Sequence, residues 1–385
     1  MIEVLTGTAD IGRGTGPVRA LGLMSGTSMD GIDLAVITTD GLTVDAFGPV
    51  DSAAFAPEVR AVLREAVAAG ACIPKGERPD PATRALWEAA GSAVTRAHEE
   101  AIRAFAREHH PALEDISVIG FHGQTVLHRP EEGWTVQLGD GAGLARALGR
   151  TVVGAFRQAD LAAGGQGAPL APLYHRALAV KAGLPEPMVV VNIGGVSNIT
   201  WIGTDGRVAA FDTGPGNAPI DDWVRAITGA DMDEDGQLAR SGRVDEAVLA
   251  RMLDRDWFDR PPPKSLDRLD FGYDAVAGLA PEDGAATLTA FTAEAIRRGA
   301  DHLPAVPLLW VICGGGRKNA AVMEALEARL PGRVVAAEAM GWRGDDIEAQ
   351  AFAYLAVRAL RGLPLSLPET TGVPAPCPGG EVFVP

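Results

Sequence analysis

Three glycine-rich stretches and one isolated carboxylate carry most of the chemistry in this sequence. The first stretch is Gly26-Thr27-Ser28-Met29-Asp30-Gly31-Ile32-Asp33. Glycines let successive backbone N–H groups turn toward one anion, and Thr and Ser hydroxyls add donors. No Lys-Ser/Thr pair ends the run, so it is not a Walker A loop. An ordinary Asp-Gly hairpin is the competing reading. The second stretch is Phe211-Asp212-Thr213-Gly214-Pro215-Gly216-Asn217, expected at a strand end and ahead of a helix from Ala218. Asp212 can hold a hydrated Mg²⁺ through water there, while the N–H groups after it meet phosphate at a helix N-terminus. Alternatively it is a turn-forming residue before Gly-Pro. The third is Cys313-Gly314-Gly315-Gly316-Arg317-Lys318-Asn319, after an apolar strand and before a helix. Its glycines admit a flat ring or a phosphate, or merely link strand to helix. Asp160 stands ahead of the loop containing Gly164-Gly165-Gln166-Gly167. In a polar cleft it is a general base; otherwise it caps that loop. His122 and Gln124, in Gly120–Thr125, are expected at another strand end, with a structural histidine as the alternative for His122.

These residues need strands and tight turns to hold them. Arg19–Met24, Ile32–Thr38 and Leu42–Phe47 read as three strands, with Asp40-Gly41 as a hairpin signal. Residues 57–70 and 81–108 have helical spacing, and Ile116–Phe121 and Thr151–Phe156 read as buried strands. Residues 188–211 repeat the opening order: strand Met188–Ile193, turn Gly194-Gly195, strand Ile199–Ile202, Asp-Gly turn, strand Val208–Phe211. The repetition predicts two α/β domains of similar plan, each opening with a β-meander that bears a glycine loop. Two such loops facing one another make a cleft for a polyphosphate. The expected division is a flexible extension over 1–17, domains over 18–175 and 176–365, and an irregular proline-rich tail over 366–385. Asp345–Leu360 reads as a helix with Asp345 as N-cap and Glu348 as capping-box acid, free to pack back on the first domain.

The 385 residues carry a net charge of −16. Such a chain binds nucleic acid and anionic membranes poorly, and an anionic substrate needs a local pocket of N–H groups, metal and a few cations. No apolar run approaches the ~18 residues that span a bilayer. Cys72, Cys313 and Cys377 are scattered and form no C-x-x-C pair, which points to a reducing, cytoplasmic setting. Asp231-Met232-Asp233-Glu234-Asp235-Gly236 opens like a calcium-binding EF-hand loop. The twelfth position, which should be Glu, is Gly242, so a solvated acidic helix start is the reading retained.

Several stretches together resemble one family, the anhydro-N-acetylmuramic acid kinases of the actin, sugar-kinase and heat-shock ATPase superfamily. They are MSGTSMDGID at 24–33, FHGQT at 121–125, TVVGAFRQADLAAGGQGAPL at 151–170, VNIGGVSN at 191–198, FDTGPGN at 211–217, CGGGRKN at 313–319 and GDDIEAQAFA at 344–353. They run in family order and span about Val18 to Leu367. The resemblance implies two actin-like, ribonuclease H-like domains with a nucleotide and sugar cleft between them. It implies MgATP as phosphoryl donor, an amino-sugar substrate, no nucleic-acid or membrane partner, and a homodimer. The implied reaction opens a 1,6-anhydro ring with water and phosphorylates O6, as a step in cell-wall recycling. Asp160 matches the family's base and Gly26–Asp33 its ATP loop. Gly194, Gly195, Asp212, Thr213, Gly214, Gly216 and Asn217 are assigned to the phosphate side. Gly314, Gly315 and Gly316 are assigned to the adenosine. His122, Gln124, Gln166 and Glu348 are placed near the sugar. A conventional sugar kinase acting on a free hydroxyl is the nearest rival. A heat-shock-type clamp and a non-catalytic sugar-binding regulator are rivals of other classes. The first lacks room for a peptide-binding domain, and the second is expected to lose the base or the loops.

Overall fold

The computed structural model describes residues 16–26, 28–109, 114–183, 187–266 and 268–385. The extension expected over 1–17 lies outside them except for Gly16 and Pro17, and Thr27 lies outside them too. The chain opens with β1 (Val18–Ser25), β2 (Gly31–Thr39), β3 (Val44–Ala54), α1 (Pro57–Ala71) and α2 (Pro81–Glu108). Then come β4 (Val118–Arg129), β5 (Trp134–Leu138), α3 (Gly141–Leu148), β6 (Val152–Gly154), α4 (Gln158–Ala162) and α5 (Pro172–Lys181). A second meander, β7 (Met188–Ile193), β8 (Val196–Ile202) and β9 (Val208–Pro215), leads into α6 (Ala218–Thr228), α7 (Gln237–Ser241), α8 (Glu246–Leu253) and α9 (Pro281–Gly299). The chain ends with β10 (Leu309–Cys313), α10 (Ala320–Glu327), β11 (Arg333–Ala336), α11 (Ile347–Leu360) and β12 (Glu381–Phe383).

Two compact units result. One holds the chain up to Lys181 together with Glu348–Pro368 and Gly372–Pro385; the other holds Ala182–Ile347 and Glu369–Thr371. Their sheets share one plan. In the first the order is β12-β6-β4-β1-β2-β3, with β5 also on β4; in the second it is β11-β10-β7-β8-β9. Each is an antiparallel meander extended by parallel strands through the meander's first strand. This is the repeated α/β plan expected from the strand order, and it agrees with the actin-like fold that the family resemblance implies.

In the first unit, alternation along β1 sends Leu21 and Leu23 into a core with Ile32, Leu34, Trp87, Val94 and Phe105. The helix α2 that covers this core starts on Asp80, whose carboxylate accepts from Thr83 N–H, with Pro81 in the first turn. The opposite face of the sheet is paved with glycine. A Cβ on Gly22 would lie 1.8 Å from the Ala349 carbonyl oxygen, and one on Gly120 would lie 2.1 Å from that of Phe352. Helix α11, with Ala349, Ala353 and Ala356 buried, therefore lies with its backbone directly on β1 and β4. In the second unit Val189, Val191, Ile193, Trp310 and Ile312 form the sheet's side of a core that α9 fills. Gly214 meets α9 at Ala295, and Gly284 of α9 meets Trp223.

Several expectations need correction. The third strand is longer and later than Leu42–Phe47, because β3 stays paired with β2 as far as Gly31↔Ala54 through two register shifts. His122 to Thr125 stand inside β4 and not at its end. Gly123, with φ +72°, lies at a register shift; beyond it Gln124 makes the last parallel pair with β1, at Ser25, and the first antiparallel pair with β5, at Leu138. The strand before Asp212 runs on past Phe211 to Pro215, held by β8, so Asp212 lies in its last four residues, ahead of α6 from Ala218 as expected. Asp345 is not an N-cap: α11 begins at Ile347, and the Asp345 carboxylate is drawn to Arg317 and Lys318, so no capping box forms with Glu348. The acidic run at 231–236 is only partly solvated, since buried Asp233 accepts from the N–H groups of Leu238 and Ala239. The tail is not irregular. Ser366 and Cys377 pair as a bridge, and β12 forms the edge of the first sheet on β6. Prolines mark where this segment turns, but they leave enough donors between them for pairing.

Candidate functional site

The candidate residues gather at one edge of each sheet, outside the carboxyl ends of the parallel strands, where open α/β sheets bind ligands. In the first unit this edge carries the loop after β1, the middle of β4 and the turn after β6. The loop after β1 closes through Met29 N–H to the Gly26 carbonyl at 3.1 Å. Met29 is one of the few non-glycine residues here with positive φ, +55°. Ser28 Oγ donates to Asp30 at 2.7 Å, and Asp33 lies in β2, paired with Met24 and Ser52. Gln124 is fully buried, and its Nε2 donates to the Gly26 carbonyl at 3.0 Å, fastening the loop to β4.

A chain of hydrogen bonds crosses this edge. The Gly123 carbonyl accepts from Ser25 Oγ at 3.1 Å and from His122 Nδ1 at 2.7 Å. His122 Nε2 in turn accepts from an Arg157 terminal nitrogen at 3.0 Å, while the other terminal nitrogen donates to the Gly167 carbonyl at 2.7 Å. Gly167 N–H donates to Asp160 Oδ1 at 2.6 Å, and the Ser366 hydroxyl donates to Asp160 Oδ2. Burial, reinforced by the Arg157 charge, holds the His122 imidazole well below its usual pKa. It is therefore neutral, with its proton on Nδ1, and both nitrogens are engaged inside the protein. It orders Arg157 and cannot act as a base in that state.

Asp160 lies in the short helix α4, just beyond Ala155, which has φ +50°. It is 2 % exposed. Gly165 is required beside it, because a Cβ there would sit 2.3 Å from Asp160 Oδ1. Donors from two directions, Gly167 N–H on Oδ1 and the Ser366 hydroxyl on Oδ2, fix the orientation of the carboxylate. Gln166 is half-buried in the same loop, next to Gly167, whose Cα side packs on the His128 ring. Glu348 is half-buried in the first turn of α11.

In the second unit, the turn at Gly194-Gly195, the end of β9 and the loop after β10 converge. Asn217 N–H donates to the Gly194 carbonyl at 2.7 Å, and Gly216 N–H to that of Gly195 at 2.9 Å. Asn217 Nδ2 donates to the Ile193 carbonyl at 3.2 Å, beside Gly315 and Gly316. Asp212 is 7 % exposed, and its Oδ2 accepts Leu266 N–H at 2.8 Å, which straps the segment around Lys264 onto β9. Thr213 is buried and shares a hydroxyl hydrogen bond with Ser197 at 2.8 Å. Arg317, 5 % exposed at its side chain, binds Asp345 through both terminal nitrogens at 2.9 and 2.8 Å, and also bonds the Gly314 carbonyl. The charge-assisted pair pulls the Asp345 carboxyl down to about 2.

The glycines separate into two kinds. Gly214, Gly216, Gly314 and Gly316 are demanded by the protein itself. A Cβ at Gly216 would lie 2.2 Å from the Gly194 carbonyl oxygen, one at Gly316 would lie 2.4 Å from Ile193, and Gly314 has φ +73°. Gly26, Gly194 and Gly195 have no positive φ, and a Cβ there would meet nothing closer than 3.6 Å. Neither backbone conformation nor packing requires glycine at those three positions. The space beside them admits the close approach of an external group such as a phosphate. Asp212 fits a cation held through water better than one held directly, since a backbone donor already occupies part of its carboxylate.

Arg157 and Ser366 touch the candidate residues His122 and Asp160, and motif reading passes over both. Arg157 lay within a quoted stretch but carried no assigned role, and nothing local marks Ser366.

The model of the family described as anhydro-N-acetylmuramic acid kinase matches residues 18–385. A protein of that name from Rhodospirillum rubrum is 52 % identical over 375 residues, covering 97 % of this chain and 96 % of the relative. Its namesake from Caulobacter vibrioides is 50 % identical over 369 residues, covering 95 % and 98 %. Among solved structures, a ROK family glucokinase from Streptomyces griseus in complex with glucose and AMPPNP has a TM-score of 0.41 at 14 % identity, covering 89 % of this chain and 98 % of that one. At that distance nothing about the site follows from it.

Proposed function

Because this chain belongs to the anhydro-N-acetylmuramic acid kinase family and is a phosphotransferase, we propose that it opens the 1,6-anhydro ring of that sugar with water and phosphorylates the released O6 from MgATP. The observation that carries the reading is Asp160, a buried carboxylate held from two sides at the ligand-binding edge of its sheet. The substrate has no free 6-hydroxyl, so the proton to be removed belongs to a water. Asp160 takes that proton as the water oxygen bonds to C1 and the C1–O6 bond breaks. O6 then bonds to the γ-phosphorus as the bond to the bridging β,γ-oxygen breaks, leaving ADP. The products are N-acetylmuramic acid 6-phosphate and ADP, and the proton passes from Asp160 to solvent.

Phosphoryl transfer asks the protein mainly for positioning and charge neutralisation. The Gly26–Asp33 loop and the Gly194-Gly195 turn are assigned to the phosphates, the Gly314–Gly316 loop to the adenosine, and Asp212 to a water-bridged Mg²⁺. When bound, the cation supplies charge neutralisation at the transferring phosphate. Gln124 and Ser25 hold the first loop to β4, so its N–H groups are oriented before nucleotide arrives. Gln166 and Glu348 are assigned to the sugar; His122 supports the Gln166 loop through Arg157, which bonds the Gly167 carbonyl. The product places the chain in reuse of cell-wall amino sugar in the cytoplasm, and the enzyme acts as a homodimer.

The test is turnover of MgATP and anhydro-N-acetylmuramic acid in oxygen-18 water. The label is expected at C1 of a 6-phosphorylated product. Label in phosphate would mean that water attacked phosphorus, and the coupled reading would fall. Asp160→Asn is expected to lower kcat by about 10²–10⁴ with sugar binding retained, since Asn keeps the shape but accepts no proton.

A further inference from the structure

The C-terminal segment reaches back 206 positions to the candidate base, and the manner of its attachment is specific. Ser366 is 2 % exposed and donates its hydroxyl to Asp160 Oδ2. Three backbone hydrogen bonds hold it in place. Leu365 N–H and Ser366 N–H donate to the Cys377 carbonyl at 2.7 and 3.3 Å, and Cys377 N–H returns to the Ser366 carbonyl at 3.0 Å. The turn before it is fixed by Arg358 Nε on the Pro364 carbonyl at 2.6 Å. Beyond Cys377 the chain passes close over α4, where a Cβ on Gly379 would stand 3.3 Å from the Ala159 Cβ. It then pairs with β6, the strand that leads into α4. The segment thus encloses α4 and delivers one hydroxyl to one carboxylate.

The Ser366 hydroxyl on Oδ2, added to Gly167 N–H on Oδ1, restricts rotation of the Asp160 carboxylate about its last torsion and sets the direction in which it faces. Misplacing a reacting group by about 1 Å can cost 10²-fold in rate. We infer that Ser366 is a positioning residue, whose hydroxyl fixes the Asp160 carboxylate for abstraction of a proton from the attacking water. This rests on the reading of Asp160 as the base.

The experiment compares Ser366→Ala, Ser366→Thr and Asp160→Asn in the full chain, with melting temperature measured for each. Ser366→Ala is expected to lower kcat by 10- to 100-fold while KM for sugar and for MgATP stays within twofold. Threonine keeps the hydroxyl and is expected to recover kcat to within about threefold of the parent. Adding Ser366→Ala to Asp160→Asn should cost no further activity, because the group it orients is already disabled. Should the alanine variant not fold, Ser366→Cys, similar in shape but a poor donor, is expected to show the same loss of kcat. An unchanged kcat in folded Ser366→Ala or Ser366→Cys overturns the inference while an inactive Asp160→Asn leaves the base intact. A threonine variant as slow as alanine at an unchanged melting temperature also overturns it. Full turnover in Asp160→Asn overturns the base assignment itself.

Discussion

Gly195 and Gly216 stand in adjoining turns of one site, yet substitution should act on them in opposite ways. A methyl at Gly195 meets only ordinary contacts at 3.7 Å, whereas one at Gly216 runs into the Gly194 carbonyl at 2.2 Å. Gly195→Ala is therefore expected to keep its melting temperature within about a degree and to raise KM for MgATP at least tenfold. Gly216→Ala is expected to lower the melting temperature by several degrees, since overpacking against backbone costs ~1–3 kcal/mol. Thermal melts beside ATP titrations separate the two. A Gly195→Ala enzyme with unaltered KM would remove that turn from the nucleotide site. Sequence alone cannot sort these glycines, because a Gly required by packing and a Gly required by a ligand are the same letter. His122 is similar: its buried ring was a foreseeable structural histidine, but its partner Arg157 became visible only when β4 and the turn after β6 came side by side.

Arg317 shows how one side chain stabilises a whole element. It follows the loop after β10, bonds the Gly314 carbonyl, and holds Asp345 in a two-pronged pair. Gly344 is needed for this, as a Cβ there would stand 2.3 Å from Arg317 Nε. Asp345 is about half exposed, so solvent screens the pair and its charge energy is moderate. The larger effect comes from the almost buried guanidinium. Arg317→Ala is expected to destabilise the second unit by about 2 kcal/mol, reading hydrogen bonds to charged groups at their usual worth. It should also weaken ATP binding by freeing the Gly314 loop. Denaturant melts and nucleotide titration measure both, and unaltered ATP affinity would detach this loop from the adenosine. The helix α11 teaches the same lesson about elements. Its alanines and the glycines of β1 and β4 are plain in the sequence, but each serves the other only across more than 200 residues.

At the scale of the whole molecule, titration should distinguish the two units. The first contains His98, His122 and His175, which are buried, and the half-buried His128, all held neutral chiefly by desolvation. The pKa values are lowered to about 4 for His98 and His128 and about 3 for His175, and His122 is lowered as well. Their unfolded counterparts protonate near 6.5. Below that pH the unfolded chain binds protons that the folded chain refuses, so stability falls as pH drops from about 6.5 toward 4. Each such histidine adds up to ~1.4 kcal/mol per pH unit to the slope in that window. Hydrogen exchange at pH 7, 5.5 and 4.5 is expected to show the first unit losing protection before the second. His175→Gln should flatten the decline if the glutamine is accommodated at neutral pH. Equal loss in both units would mean that carboxylate titration outweighs the buried imidazoles. Among the described residues, no helix is long and apolar enough to cross a membrane.

What the sequence by itself determined is local or repetitive. The apolar runs and Asp-Gly turns located both meanders, helical spacing located α1 and α2, and motif order assigned the family and selected Asp160. Such signals are legible because strand alternation, turn chemistry and helix capping act within a few residues. Even these failed where a strand passed through a motif, as β4 does at His122, because hydrogen bonds to neighbouring strands decide where a strand ends. The tertiary structure alone decided the rest: Arg157 on His122, Ser366 on Asp160, β12 on β6, and Asp345 on Arg317 in place of a helix cap. Each joins groups far apart in the chain, and their proximity is a property of the folded packing, which no window of the sequence contains.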